Sequence, residues 1–513
     1  MLSRDSIWIT SANNDWHENT MIKRPEYHID SMIAEKTFRS QVLSSIIWVA
    51  GLNYLGQIIR WVATIFVIRL LSPADFGLMA KAAVFISFLT MISELGLESA
   101  IIQKKNVSKS DLTHVFAVII IFNILLGSAF FLITPLIANF YRDTRLIPIL
   151  RVMSSIFLFL PLYILQRGLL MREMNFRSKS IVDLAGSLVA AGATLILALR
   201  GFGVWALVWG NIASHLVMAA GYNIARKGLI IPRFALRGYS EFLTFGGFLT
   251  GSRILWYFYS MSDIFVGGRY LSNKLLGVYS VAMQLATIPI EKIMPIISQV
   301  AFPAYSRIQS ETERVRSHFI KSVRLLSFII FPVYGGLFLI APQMVNLFLG
   351  HKWGEIILPI SLLCLIMPFR SLSTLFPPLL NGLGRPDVDF VNVTMASLIL
   401  PAAFLIGVRK GILGICFAWI IGYSFVFAIA SIRSLRVLGI KYNAYISSII
   451  MPIISTLAMI IAVRLFALVA GHYLSSILQL ILYVLLGMLF YLAAMFMTRR
   501  SAIIEVLSII RKR

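Results

Sequence analysis

Apolar residues run along this chain in long blocks separated by short polar breaks. Fourteen blocks are legible, with cores near residues 42–68, 76–102, 113–139, 146–166, 180–199, 203–224, 242–268, 275–303, 324–349, 355–381, 388–408, 411–432, 443–469 and 475–498. A helix crosses the hydrocarbon core of a bilayer with roughly 20 residues, and these blocks are near or above that length. The pattern predicts an all-α polytopic membrane protein with about 14 transmembrane helices. Only Arg200-Gly201-Phe202-Gly203 divides the fifth block from the sixth, which marks a tight helix–helix turn. The first block carries Asn53, Gln57 and Arg60 and is therefore no plain lipid-facing span.

The blocks also repeat. Arg69-Leu70-Leu71-Ser72-Pro73-Ala74-Asp75-Phe76-Gly77 recurs as Arg269-Tyr270-Leu271-Ser272-Asn273-Lys274-Leu275-Leu276-Gly277, with Arg, Leu, Ser and Gly in register at an offset of 200. Gly51 and Leu55 match Gly251 and Leu255 at the same offset. Further on the offset drifts to about 210, where Arg200 and Gly203 fall opposite Lys410 and Gly414. Six spans are thus followed by six like them, starting from the same side of the membrane. Such a parallel repeat, with its axis along the membrane normal and two bundles around a cleft, is a transporter architecture. The expected organisation is a polar cytoplasmic tail (1–40), an N-lobe (41–225), a C-lobe (226–435), two further helices (436–498) and a basic cytoplasmic tail (499–513). Spans 13 and 14 fall outside the repeat, as a structural appendix or a groove for a lipid tail.

Composition removes the alternatives to a membrane protein. Of 513 residues, 58% are hydrophobic and 13% charged, against about 25% charged in an average soluble chain. That is too little polar surface for a cytosolic enzyme, a secreted disulfide domain or a DNA-binding factor. The net charge of +24 reads as cytoplasmic loops and contact with anionic lipid rather than as nucleic-acid binding. With the N-terminus inside, 30 of the 46 Lys and Arg fall on the inner side and 12 on the outer, leaving Arg60, Arg253, Lys292 and Arg370 within spans. Dropping one span would invert every later loop, so the bias supports fourteen spans and two cytoplasmic ends. Cys364 and Cys416 lie in apolar blocks and imply neither a disulfide nor a metal site. The histidines show no metal-ligand spacing, no P-loop is present, and Asp75-Phe76-Gly77 lacks the other loops of a kinase. The first 40 residues lack the apolar core of a signal peptide, and Met32 is a candidate alternative start.

Charge inside a span is costly and usually faces a cavity or a partner. Asn53, Gln57 and Arg60 share one helix face. Arg253, Tyr257 and Ser260 occupy the same positions of the repeat, with Asp263 within reach. Span two carries Ser87, Thr90, Glu94 and Glu98. Span eight carries Ser280, Gln284 and Glu291, with Lys292 beside them, and span ten carries Arg370 and Thr374. These stripes predict a water-filled lumen lined by spans 1, 2, 7 and 8, whose cations suit an anionic head group through charge-assisted bonds. Each has a structural alternative. Arg60 can snorkel, Arg253 and Asp263 can sit in separate pairs, and Glu94 and Glu98 can face the membrane surface. Glu291 and Lys292 project about 100° apart, so one of them pairs elsewhere. Arg69, Asp75 and Arg269 read as turn residues. Pro289 and Pro295, and Pro377 and Pro378, are placed to kink helices.

IRLLSPADFGL after span one and SELGLESAIIQKK at the end of span two resemble the polysaccharide-repeat-unit flippases. So do AFPAYSRIQSETERVR after span eight, GHKWGEIILPISLLC into span ten and LLNGLGRPD after it. These are members of the multidrug/oligosaccharidyl-lipid/polysaccharide exporter superfamily, here of the colanic-acid and O-antigen type. The resemblance covers about residues 36 to 500 and does not extend to the N-terminal tail. It implies two six-helix lobes plus two helices working by alternating access in the bacterial inner membrane. The substrate would be an oligosaccharide on undecaprenyl pyrophosphate, destined for capsule, exopolysaccharide or O-antigen. The expected partners are membrane lipids, a polysaccharide polymerase and chain-length or export proteins, with the transporter a monomer.

The resemblance carries over a location and no particular residue. The substrate-binding candidates therefore come from the stripes: Arg60, Arg253, Lys292, Arg370, Asn53, Gln57, Tyr257 and Gln284. Asp263 and Glu291 are the candidates for coupling to H⁺ or Na⁺, with no other cofactor expected. The competing readings are a cation-coupled multidrug exporter, a lipid II flippase, a membrane polymerase or ligase of the same lipid-linked sugars, and a non-transporting assembly scaffold.

Overall fold

The structure, a computed structural model, describes residues 56–57, 59–94, 108–226, 230–232 and 240–511. Regular structure among them is helical, without a strand. The helices are α1 (59–70), α2 (Pro73–Ser93), α3 (Lys109–Tyr141), α4 (Leu146–Met153), α5 (Ile156–Arg172), α6 (Phe176–Leu199), α7 (Val204–Ala225) and α8 (Ser240–Tyr270). They continue with α9 (Asn273–Arg307), α10 (Thr312–Met344), α11 (Ile357–Ser373), α12 (Phe376–Gly382), α13 (Pro386–Gly407), α14 (Gly411–Leu438), α15 (Tyr442–Ala470) and α16 (Ser476–Arg511).

Ten helical segments among the described residues are long and apolar enough to cross a membrane. One of them, 386–438, is two helices separated by a turn at Val408–Lys410. α8 and α9, with 31 and 35 residues, are as long but more polar. The chain is a multi-pass helical membrane protein.

Several boundaries differ from the sequence pattern. The fourth block is broken at Ser154-Ser155, whose hydroxyls donate to the carbonyls of Arg151 and Val152 three residues back; such bonds compete with the helical ladder. The tenth block breaks before Pro377, near the start of α12, where proline suits a first turn. α10 starts at Thr312, well before its apolar block. Residues 95–107, which include Glu98, and the tail 1–40 lie outside the described residues.

Burial falls into two principal cores. One is built from α2 to α7, around Phe157, Ile164 and Tyr222. The other is built from α8 to α15, around Tyr279, Phe319, Trp353 and Trp419. A small third core, with Met459, Tyr483 and Tyr491, holds α15 and α16 against α10.

The sequence repeat has a structural meaning. Ser72 caps α2 by accepting from the Asp75 amide, and Ser272 caps α9 by accepting from the Leu275 amide, each satisfying an orphan donor. The repeated glycines then meet across the halves. A Cβ on Gly77 would lie 1.9 Å from the Asn273 carbonyl oxygen, and one on Gly277 would lie 1.7 Å from that of Pro73. Residues 73 and 273 are themselves equivalent, so the contact is a pseudo-twofold in which each helix's glycine receives the other's first turn. Later, Gly203 (φ 55°) finds its counterpart in Gly411 (φ 69°), each at the start of a helix. This corrects the pairing of Gly203 with Gly414, which instead packs backbone to backbone on Gly407.

Candidate functional site

α2 and α9 begin together, at what is called here the Ser72 end of the bundle, and run towards the end carrying Arg307. Contacts between the halves concentrate at the Ser72 end. The Trp353 Nε1 donates to the Ile68 carbonyl at 2.8 Å, and the Lys352 Nζ to that of Leu70 at 3.1 Å. Phe140 of α3 stacks on Phe265 of α8, with ring centroids 4.9 Å apart. The Asn273 Nδ2 donates to Asp143 Oδ2 at 2.6 Å. Asp143 also faces the Nζ of Lys81 at 3.8 Å, and the two side chains are 8% and 4% exposed. The deepest tie is Tyr257, whose hydroxyl donates to the Val84 carbonyl at 2.6 Å. From Pro73 to Val84 this seal is about 17 Å deep, at about 1.5 Å per residue.

Asp143 sits in the turn between α3 and α4. Burial works to raise its carboxyl; hydrogen bonds from Arg145 and Asn273, with the charges of Arg145 and Lys81, outweigh that and hold it below its ordinary value. Neither Lys81 nor Asp143 stood out in the sequence, where Lys81 counts among the outer basic residues. The available signal was a lysine two turns inside an apolar block.

Inward of the seal the same helices turn polar and exposed. Ser87 of α2, and Gln284 and Glu291 of α9, are exposed. Arg60 on α1 is half-buried and donates to the Ser187 hydroxyl of α6 at 2.6 Å and to Gln57 Oε1 at 2.8 Å. Lys292 reaches across from α9 to lie 5.7 Å from the ring centre of Trp61, within electrostatic range of Arg60 and Glu291. Four of the expected residues, Arg60, Gln57, Glu291 and Lys292, thus gather in one polar cluster, two cations and a carboxylate among them, with contributions from both halves.

Arg370 and Asp263 form a different cluster, within the C-terminal half. Asp263 is 2% exposed. Its Oδ2 accepts from the Tyr279 hydroxyl at 2.6 Å and from the Trp419 Nε1 at 3.2 Å, and its Oδ1 from the Ile264 amide at 2.7 Å. Arg370 lies 4.8 Å from the ring centre of Trp419 and contacts Met283 Sδ at 3.9 Å. Tyr257 is buried in the seal, with its hydroxyl committed to α2. Arg253 lies on α8, and its side chain and the whole of Asn53 are outside the described residues. Of the other stripe residues, Glu94 is paired with Arg167 at 2.8 Å, and Asp75 caps α2 while its Oδ1 accepts from the Val204 amide at 3.0 Å. Asp75 is thus a structural residue.

Two helical halves sealed at one end and polar inward of it are a fold shared with two solved structures. The chain aligns with the lipid II flippase MurJ in its inward closed conformation at a TM-score of 0.74 and 16% identity, covering 89% of this chain and 100% of that one. It aligns with an inward-facing multidrug resistance MATE family transporter of the MOP superfamily at 0.61 and 16%, covering 75% and 94%. Residues 66–358 match the family described as Polysaccharide biosynthesis protein, and the chain belongs to that family. Its relatives include the lipopolysaccharide biosynthesis protein WzxC of Escherichia coli, 31% identical over 75% of this chain and 79% of WzxC. The succinoglycan biosynthesis transport protein ExoT of Rhizobium meliloti is 28% identical over 89% and 92%.

Proposed function

We propose that this protein flips undecaprenyl-pyrophosphate-linked oligosaccharide repeat units across the bacterial inner membrane by alternating access, as a transporter and not as a polymerase. Fourteen spans in two six-helix lobes, followed by two further helices, with both termini cytoplasmic, complete the reading. The basic bias supports the Ser72 end as the outer one, and on that reading the conformation described is closed outwards.

The observation that carries the proposal is the pairing of Arg60 and Lys292, one from each half, just inward of the seal. Two like unit charges within electrostatic range of each other at an effective dielectric near 20 repel, by up to about 4 kcal/mol at close approach. That repulsion, which the Glu291 carboxylate beside Lys292 offsets in part, opposes approach of the inner ends while the site is empty. A diphosphate placed between them reverses the sign and draws the halves together. Closure at the inner end is then available chiefly to the loaded protein, as alternating access requires. Gln57 and Gln284 supply donors and acceptors for sugar hydroxyls, and the prenyl chain stays in lipid. A multidrug exporter selecting cations would want carboxylates where Arg60 and Lys292 stand.

Asp263 is proposed to couple by proton rather than by Na⁺, because N–H and O–H donors converge on it where a metal ion would need oxygen ligands. Collapsing the proton gradient should stop transport, and collapsing the Na⁺ gradient should leave it intact.

The primary test is deletion in the native host, followed by recovery of lipid-linked oligosaccharide from sealed inside-out vesicles treated with an impermeant glycosidase. Intact single repeat units accumulating on the cytoplasmic face are the expected result. Unpolymerised units on the outer face would instead identify a polymerase or its scaffold.

A further inference from the structure

Beside Arg60 and Lys292 stands a side chain to which the diphosphate reading gives no task. Trp61 follows Arg60 on α1 and is 37% exposed. Lys292 of the other half lies 5.7 Å from its ring centre. That indole face therefore looks across the cleft and not into lipid, where an ammonium would be costly. Gln57 stands one helical turn before Trp61, and its amide oxygen accepts from Arg60 at 2.8 Å. The internal repeat supplies a second observation. At the offset of 200, Ser72 and Gly77 meet Ser272 and Gly277, which cap and pack their helices in the same way, but Arg60 and Trp61 fall opposite Ser260 and Met261. The fold builds the equivalent span with neither a guanidinium nor an indole at these positions.

An indole face in a polar cleft, with an amide one turn away, suits a pyranose. One side of a pyranose presents C–H groups, which pack on the electron-rich face of an aromatic ring as a cation does; its rim presents hydroxyls, which amides can bond. We propose that Trp61 stacks the first sugar of the lipid-linked oligosaccharide, the one joined to the diphosphate, and so distinguishes the loaded carrier from the bare one. The inference rests on the diphosphate site proposed above and adds an exchange at the ring. In the empty protein Lys292 lies over the indole. A diphosphate draws the ammonium to its oxygens, because a charge-assisted bond to phosphate outweighs a cation–π contact. The first sugar is joined to the diphosphate through a single oxygen, so it lies within reach of the face that Lys292 leaves. A prenyl diphosphate without sugar moves the lysine but leaves that face uncovered, and is held less well.

The test measures binding to the purified full-length protein in a neutral detergent. The probes are farnesyl diphosphate and farnesyl diphosphate carrying one glucose or one galactose. The readout is the ratio of the two dissociation constants within each protein, from which any general loss of folded protein cancels. Wild type is expected to bind the glycosylated probe about tenfold more tightly. Trp61→Leu, apolar but without a π face, should bring the ratio to about one, and Trp61→Phe should keep most of it. A ratio near one in wild type, or one retained in Trp61→Leu, overturns the stacking of the sugar and leaves the diphosphate site standing. If neither probe binds wild type, or if both bind Arg60→Ala and Lys292→Ala as they bind wild type, the diphosphate reading falls and this inference falls with it.

Discussion

The two ends of the α2–α9 interface obey opposite rules. At the Ser72 end the helices touch backbone to backbone through Gly77 and Gly277, and the charges there are paired: Lys81 with Asp143, and Asp143 with Asn273. Inward, Lys292 approaches a cation of the other half, Arg60. The first end is made to be complete without a ligand. The second brings two cations within range of each other with Glu291 alongside, and on the proposed function it is completed by an anion. A transporter needs one of each at any moment, and the difference is built from one pair of repeated helices.

The largest effect should come from breaking the close approach. Gly277→Val puts a side chain where no Cβ fits, against a carbonyl that cannot step aside. The expected penalty on the closed outer end is about 3 kcal/mol, or about a hundredfold in its population. Ala282→Cys, fully buried in wild type, should then react with an impermeant maleimide from outside; unchanged labelling would show that the glycine contact is no seal.

The next largest effect tests the open half of the comparison. Arg60→Ala and Lys292→Ala should each cut export by about tenfold or more, as expected on removing a charge-assisted contact to phosphate, at normal protein levels and without raising Ala282→Cys labelling. Normal export rates in both variants would remove the diphosphate site.

Asp143→Asn should weaken the seal by about 2 kcal/mol, because Lys81 is left buried without its counter-charge. The acid dependence follows from the same pair. The Asp143 carboxyl is held below its ordinary value, so its contribution is complete above 3.8 and is lost as pH falls from there through the lower folded value. Wild type should therefore show an acid-induced rise in Ala282→Cys labelling, scored after return to labelling pH, and Asp143→Asn should lack that step. The smallest effect belongs to Trp353→Phe, which keeps the ring and loses one hydrogen bond to Ile68, worth about 1 kcal/mol. Its labelling should rise only slightly, and a change as large as that of Gly277→Val would mean that the seal is centred on Trp353 instead.

Periodicity alone located the helices, because lipid permits few alternatives to an apolar run of fixed length. It also exposed the repeat, since a helix cap and a close helix contact each demand particular residues: Ser72 and Ser272 for the cap, Gly77 and Gly277 for the contact. Stripe spacing marked Gln57 and Arg60 as one face, and the basic bias supplied an expected side for each turn. Spacing within a helix says nothing of what stands opposite. Tyr257 and Arg60 occupy related stripes, yet one is bonded into the seal and the other to Ser187 of α6. Asp263, ten residues from Arg253, found its partners on α9 and α14. Asp143 and Lys81, 62 positions apart, gave no sign of being a pair. Composition, helix boundaries and the repeat are properties of the chain read locally, where hydrophobicity and capping act over a few residues. Which polar groups are paired across helices and which stay exposed was decided only when the two halves packed, because electrostatic pairing depends on distances between helices that no local pattern encodes.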